Sequence, residues 1–264
     1  MNSERIEKIA QHLFAENRKR AKFEWLKDDL APTSLEEAYA VQTRLHSIWE
    51  SEGVGSIGGW KIAITSPAMQ QLCGIDQPCV GGVLEKAIIA GPTRVRASNY
   101  VRLGLEFELA VVLGVDIEPS DKTFDASSAM EVTSAVAPAF ELIEDRAADY
   151  SDFEALSLVA DNTWNGGVVL GAELIGWKEI DWVNCPVCLS YNDVEEYATT
   201  GEAMGNPFNA LASVLNNLNS RGLSAKQGQV VITGSTLKTR FAAIGDRAQY
   251  SIGELGAVDL TVEE

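Results

Sequence analysis

Leu103-Gly104-Leu105-Glu106-Phe107-Glu108-Leu109-Ala110-Val111-Val112-Leu113 reads as an apolar strand with two carboxylates set one residue apart inside it. Side chains alternate across a strand, so Glu106 and Glu108 share one face while Leu105, Phe107 and Leu109 fill the other. A third acid, Glu141, interrupts a second apolar stretch, Val136-Ala137-Pro138-Ala139-Phe140-Glu141-Leu142-Ile143. Burying an ionised carboxylate costs on the order of several kcal/mol unless it is paired or bound to a metal, and three together repel one another. A divalent cation would answer both problems. An all-oxygen, carboxylate-rich set suits a hard ion, magnesium first and manganese or calcium after it, rather than zinc or copper. Taken alone, Glu106 and Glu108 are equally what the wet face of an ordinary amphipathic strand looks like.

Outward from this strand, β signals dominate the C-terminal side, with expected strands over 101–113, 137–144, 167–171, 184–191, 229–233, 247–252 and 256–262 and Gly-containing turns between several of them. On the N-terminal side, Ile6, Ile9, Ala10, Leu13 and Phe14 recur at helical spacing. A capped second helix starts at Thr33-Ser34 with Glu37 in its first turn and ends near Gly53. Trp60-Lys61-Ile62-Ala63-Ile64 is a strand followed by a short helix through Met69 to Leu72, and Asn206-Pro207 opens a helix that stops at Arg221-Gly222. Strands outnumber helices without alternating with them, which disfavours a doubly wound sheet. The expected class is α+β, mostly β, with an N-terminal helical segment at 1–57 and a β-rich catalytic domain at 58–264.

Charge and composition exclude several functions. A net charge of −17 opposes a nucleic-acid partner, whose affinity comes from Lys and Arg displacing counterions. No apolar run is long enough to span a bilayer or to form a signal-peptide core, so a cytoplasmic protein without membrane contact is expected. Cys185-Pro186-Val187-Cys188 has CxxC spacing, but no second CxxC or nearby His completes a zinc site. His12 and His46 are the only histidines, so acid-base chemistry falls to Lys, Asp or Glu. Neither a phosphate-cradling GxxxxGK[ST] nor a GxGxxG in a strand-turn-helix setting is present, which argues against a nucleotide cofactor.

Several stretches together resemble the fumarylacetoacetate hydrolase superfamily, in its branch of 2-keto-4-pentenoate hydratases and 4-oxalocrotonate decarboxylases. They are Gly59-Trp60-Lys61-Ile62-Ala63-Ile64-Thr65-Ser66, Met69-Gln70-Gln71 leading to Gly74-Ile75-Asp76-Gln77-Pro78, the pair Glu106 and Glu108, and Pro138-Ala139-Phe140-Glu141-Leu142-Ile143. Val159-Ala160-Asp161-Asn162, Gly205-Asn206-Pro207-Phe208-Asn209-Ala210 and Gly228-Gln229-Val230-Val231-Ile232-Thr233-Gly234-Ser235 complete the set. Order and spacing carry the likeness more than any one piece.

The resemblance implies a mixed β-sandwich or roll, with Glu106, Glu108 and Glu141 as ligands to Mg2+ or Mn2+ and a 2-keto acid as substrate. It implies Lys61 as proton shuttle, its pKa lowered by desolvation and a nearby cation. Asp161 and Asn162 are expected to orient substrate or water, although an Asx turn is an equal use for them. Trp60, Arg102, Ser235 and Thr236 are the expected substrate contacts, and a homo-oligomer is expected by analogy. Departures stand beside these matches. Cys79 occupies a position where many hydratases of this group carry Asp, Gly104 replaces a frequent Arg for which Arg102 could substitute, and Trp60 and Trp164 place large rings where smaller or polar residues are usual. The leading expectation is hydration of a 2-hydroxy-2,4-dienoate to a 4-hydroxy-2-keto acid. Decarboxylation of a 4-oxalocrotonate-type diacid at the same site is the runner-up, with acylpyruvate C–C hydrolysis or an inactive binding homologue behind it.

Overall fold

The computed structural model describes residues 2–264. Its helices are α1 (Ser3–Lys19), α2 (Leu35–Ser51), α3 (Pro67–Cys73), α4 (Ala126–Glu131), α5 (Ala155–Ala160) and α6 (Pro207–Ser220). Its strands are β1 (Ile57–Ala63), β2 (Cys79–Leu84), β3 (Ile88–Ala90), β4 (Thr93–Arg96), β5 (Leu103–Leu113), β6 (Thr133–Glu144), β7 (Asn165–Leu170), β8 (Pro186–Tyr191), β9 (Val194–Thr199), β10 (Val230–Ile232), β11 (Arg240–Phe241), β12 (Arg247–Ile252) and β13 (Gly256–Glu263).

The strands form two sheets. The larger runs β2-β1-β10-β5-β6-β7-β3, with β11 added to β5, and the smaller runs β4-β13-β12-β8-β9. The α+β class expected from the sequence is the class found, with the larger sheet curled into a half-barrel. β5 and β6 are the long antiparallel pair at its centre. Their apolar face packs onto the smaller sheet, where the Phe107 ring meets Phe140 at 5.8 Å and Tyr250 at 6.0 Å between centroids. All three rings are fully buried, and burial of side chains this large dominates core energetics.

The helices follow their caps. Ser34 Oγ accepts the Glu37 amide at 3.1 Å, and Glu37 reaches back to the Thr33 amide at 2.7 Å, so two unpaired donors at the start of α2 are satisfied. Asn206 caps α6, with Pro207 in its first turn. α1 and α2 bury Ile9, Leu13, Leu45 and Ile48 in a core of their own that also takes in Cys79 of β2 and Val159 and Ala160 of α5. Position 79 therefore faces the helices, and Cys79 is completely buried there.

β2, β3, β4, β9, β11, α4 and α5 are structural elements without a sequence-based expectation. Gly81 and Gly82 dilute the strand signal of β2, yet both are demanded by close packing. A Cβ on Gly81 would stand 2.1 Å from Thr163 Oγ1, and one on Gly82 would stand 2.8 Å from the His46 ring.

Candidate active site

The register of β5 and β6 sets Glu106 directly opposite Glu141 and Glu108 opposite Ala139. Alternation along β5 then keeps Glu106 and Glu108 on one face, so the three carboxylates converge. One oxygen from each lies within 4.8 Å of the other two. Glu108 and Glu141 are wholly buried and Glu106 is half-buried.

Neighbouring elements fix each acid. The chain after β10 bends over β5, and Gly234 donates its amide to Glu108 Oε2 at 2.6 Å. Gly234 does this with φ +95, a conformation that favours glycine, while Thr233 ties the same bend to the Leu109 carbonyl. Thr239 Oγ1 donates to Glu106 Oε1 at 2.6 Å, and Asn165, opening β7, donates to Glu141 Oε1 at 2.9 Å. Lys61 reaches in from β1, its Nζ 2.9 Å from Glu141 Oε1 and 3.4 Å from the Thr163 carbonyl oxygen, with only 3% of the side chain exposed.

Two buried carboxylate oxygens among the described residues remain without any partner, Glu108 Oε1 and Glu141 Oε2. Buried acceptors are nearly always satisfied, so an orphan on each of two adjoining carboxylates marks places for a further ligand. Charge gives the same answer. Three carboxylates against the Lys61 ammonium leave two negative charges, the charge that one divalent ion neutralises. Burial first, then Glu141 and Glu106, push the Glu108 carboxyl well above its ordinary range, and burial likewise raises Glu141 against the pull of Lys61. Glu141 holds the ammonium and the Asn165 amide, whereas Glu108 holds the Gly234 amide. The donor set, three hard oxygens with two unspent, fits a hard divalent cation.

For Lys61 in the metal-free cluster, the three acids oppose the lowering expected beside a cation. Burial pulls the ammonium's pKa down, but Glu141, Glu106 and Glu108 outweigh it and hold it above the ordinary lysine value. The expectation counted a cation beside Lys61 and did not count three acids.

Lys61, Glu106, Thr163, Trp164, Gly234 and Ser235 line a cavity of about 820 Å³ that opens beside the cluster. Two β-branched residues at its floor, Ile64 and Thr163, have φ of 56 and 51, left-handed backbone that such side chains rarely adopt. Strain of this kind persists where the surroundings over-determine it. Here Asn162 supplies the constraint, accepting from the Gly82 amide at 2.7 Å and donating to the Gly82 carbonyl at 2.8 Å, with His46 Nε2 at 2.7 Å from the same side-chain oxygen.

The other expected site residues divide. Ser235 lines the cavity and accepts the Phe107 amide at 2.9 Å. Thr236 is turned into the core, bonding the Phe107 carbonyl and the Tyr250 hydroxyl. Trp60, one residue from Lys61, points to the other face of β1, where its ring N–H donates to Gln229 at 3.1 Å. Arg102 is spent on Asp145, with bonds of 2.9 and 3.0 Å, and lies over the Phe241 ring that borders the cavity. Asp161 is buried against Arg146 at 2.6 Å and Asn17 at 2.9 Å, and Asn162 clamps β2. Thr236, Trp60, Arg102, Asp161 and Asn162 are thus absent from the cavity lining. Asn165, Gly234 and Thr239, which hold the carboxylates, went unread in the sequence. A polar residue at the mouth of the neighbouring strand was the one available signal for Asn165.

The chain belongs to the fumarylacetoacetate hydrolase C-terminal family, whose pattern it matches over residues 77–263. It is 29% identical over 234 residues to 2-keto-4-pentenoate hydratase 1 of Dechloromonas aromatica (strain RCB), covering 88% of each chain. It is 28% identical over 260 residues to 2-oxo-hept-4-ene-1,7-dioate hydratase of Escherichia coli, covering 95% of each. In fold it is similar to 4-oxalocrotonate decarboxylase from Pseudomonas putida G7, solved with magnesium and adipate. The TM-score there is 0.90 at 22% identity, over 99% of this chain and 98% of that one. Among the described residues no helix is long and apolar enough to cross a membrane.

Proposed function

We propose that the protein is a metal-dependent hydro-lyase that adds water to a 2-hydroxy-2,4-dienoate, or its 2-keto-enoate tautomer, giving a 4-hydroxy-2-keto acid. The observation that carries this reading is the convergence of three acids with two unpartnered buried oxygens beside a buried lysine. The hydratases it resembles along most of its length support the same chemistry. Glu106, Glu108 and Glu141 would hold magnesium, which would draw electrons from the carboxylate and keto oxygens of the substrate.

This chain's own residues do the rest. Lys61 carries a proton at Nζ and exchanges it with the substrate carbon skeleton, its position held by Glu141 and by the Thr163 carbonyl. Asn165 keeps Glu141 oriented, and Gly234 does the same for Glu108.

A decarboxylase reading is kept for one observation. Position 79 carries Cys79 among the helices rather than an acid, and decarboxylation needs no acid there. Incubating the magnesium-loaded enzyme with 2-hydroxypenta-2,4-dienoate and, separately, with a 4-oxalocrotonate-type diacid distinguishes the two. Loss of dienoate absorbance with formation of the hydroxy-keto acid is the expected result; carbon dioxide from the diacid with no hydration of the dienoate would defeat it.

A further inference from the structure

We infer that the site beyond the keto-acid head favours a bulky apolar substrate tail, such as an aryl ring, over a second carboxylate or a bare vinyl end. This rests on the reading of the site given above and adds the substrate's other half to it. The cavity lining is mixed in character, with a large aromatic and aliphatic share. Lys61, Glu106 and Ser235 are among its polar residues, and Ile143, Tyr150, Phe153, Leu158, Trp164 and Phe241 supply an apolar wall. A volume of about 820 Å³ lies in the range, roughly 300–1000 Å³, that encloses ligands much larger than a five-carbon acid.

The wall is rigid because its rings lock one another. Trp164 meets Tyr150 edge-on at 5.7 Å and Phe153 at 6.4 Å, and is backed by Phe23 at 5.1 Å and Trp25 at 5.7 Å. Such a surface rewards an apolar group without first having to be ordered.

The cations that could read a tail carboxylate are committed elsewhere. Arg102 is held by Asp145 and the Ala148 carbonyl, Lys61 is held by Glu141, and Arg146, which bonds Asp161 through one nitrogen only, does not line the cavity. Lys238 is the remaining cation among the described lining residues, and it is exposed, where water screens it. A carboxylate pressed against the wall would lose its hydration, and the unpartnered ring N–H of Trp164 is itself buried out of its reach.

Calorimetric titration of the magnesium-loaded full-length protein with three unreactive 2-oxo acids tests this: 2-oxopentanoate, 2-oxohexanedioate and 2-oxo-5-phenylpentanoate. The phenyl compound is expected to bind at least about tenfold more tightly than 2-oxopentanoate, and the dioate no more tightly. Trp164→Ala should cut the phenyl advantage to less than about threefold, and the milder Phe153→Leu should cut it in part, which guards against a variant that merely fails to fold. Equal affinities, or a preference for the dioate that Lys238→Ala removes, would overturn the apolar tail while leaving the keto-acid reading intact. Absence of magnesium-dependent binding by all three would overturn both.

Discussion

On the proposed reading Glu108 is the side chain on which the chemistry turns, because it is wholly buried, has one oxygen without a partner, and is pushed by burial and its acidic neighbours well above its ordinary ionisation. Glu108→Gln keeps the shape and removes the charge. It is expected to weaken manganese binding by at least about 100-fold in calorimetry and to reduce turnover by a similar factor, since ligand and neighbour effects at metal sites reach this size. In metal-free protein the same variant should melt no lower than the parent, because a neutral amide relieves repulsion from Glu106 and Glu141. A melt several degrees lower would show that Glu108 is structural. Lys61→Met separates a second role. It should cost about 100- to 10,000-fold in turnover, the usual worth of a placed proton donor. Metal affinity should be retained or increased, because a competing cation has left the cluster; a parallel loss of both would make Lys61 a positioning residue only.

At the scale of the element, the segment Asn162–Trp164 shows how backbone, clamp and site depend on one another. Three successive left-handed residues present the Thr163 carbonyl to Lys61, and Asn162 fixes them to β2 and to His46 on α2. Burial pushes the His46 pKa down to about 4 from 6.5, against the Asn162 bond that would raise it. A histidine with a lowered folded-state pKa contributes stability that is full above its unfolded value and is lost as pH falls through 6.5 toward about 4. His46 keeps some contact with solvent, so the loss expected in urea melts between pH 7.5 and 5 is about 1–2 kcal/mol rather than the full shift. His46→Gln should flatten that part of the profile; an unchanged profile would place the pH sensitivity elsewhere.

The same segment marks the boundary of what the sequence discloses. Alternation in 103–113 and the apolar run through 136–143 nominated three acids, which the family resemblance assigned to one site, and the caps of α2 and α6 were legible in Ser34 and Asn206. Roles that depend on direction were not. Trp60 and Lys61 are neighbours in sequence but lie on opposite faces of β1, and Asp161 beside Asn162 looks polar and available until Arg146 and Asn17, both distant in sequence, take it up. β2 was hidden because its glycines answer to Thr163 and His46, contacts that only the folded chain contains.

For the whole molecule, the fold is a device for bringing β1, β5, β6, β7 and the bend after β10 to one point. The metal-free state holds that point together against the mutual repulsion of its carboxylates. A divalent ion should therefore stabilise the entire domain. At one hundred times its dissociation constant the gain is about 2.7 kcal/mol, or roughly 5–10 °C in melting temperature for a chain of this size, reversed by chelator. Scanning calorimetry with magnesium, manganese and EDTA reads this directly, and identical melts under all three conditions would remove the cation from the native structure.

Anomalous diffraction from crystals of the protein grown with manganese is the most direct test of where that ion sits. A single strong peak bounded by Glu106, Glu108 and Glu141, with Lys61 Nζ beside it, is the expected result. A peak elsewhere, with the two buried carboxylate oxygens still unpartnered, would contradict the assignment of this cluster as the metal centre.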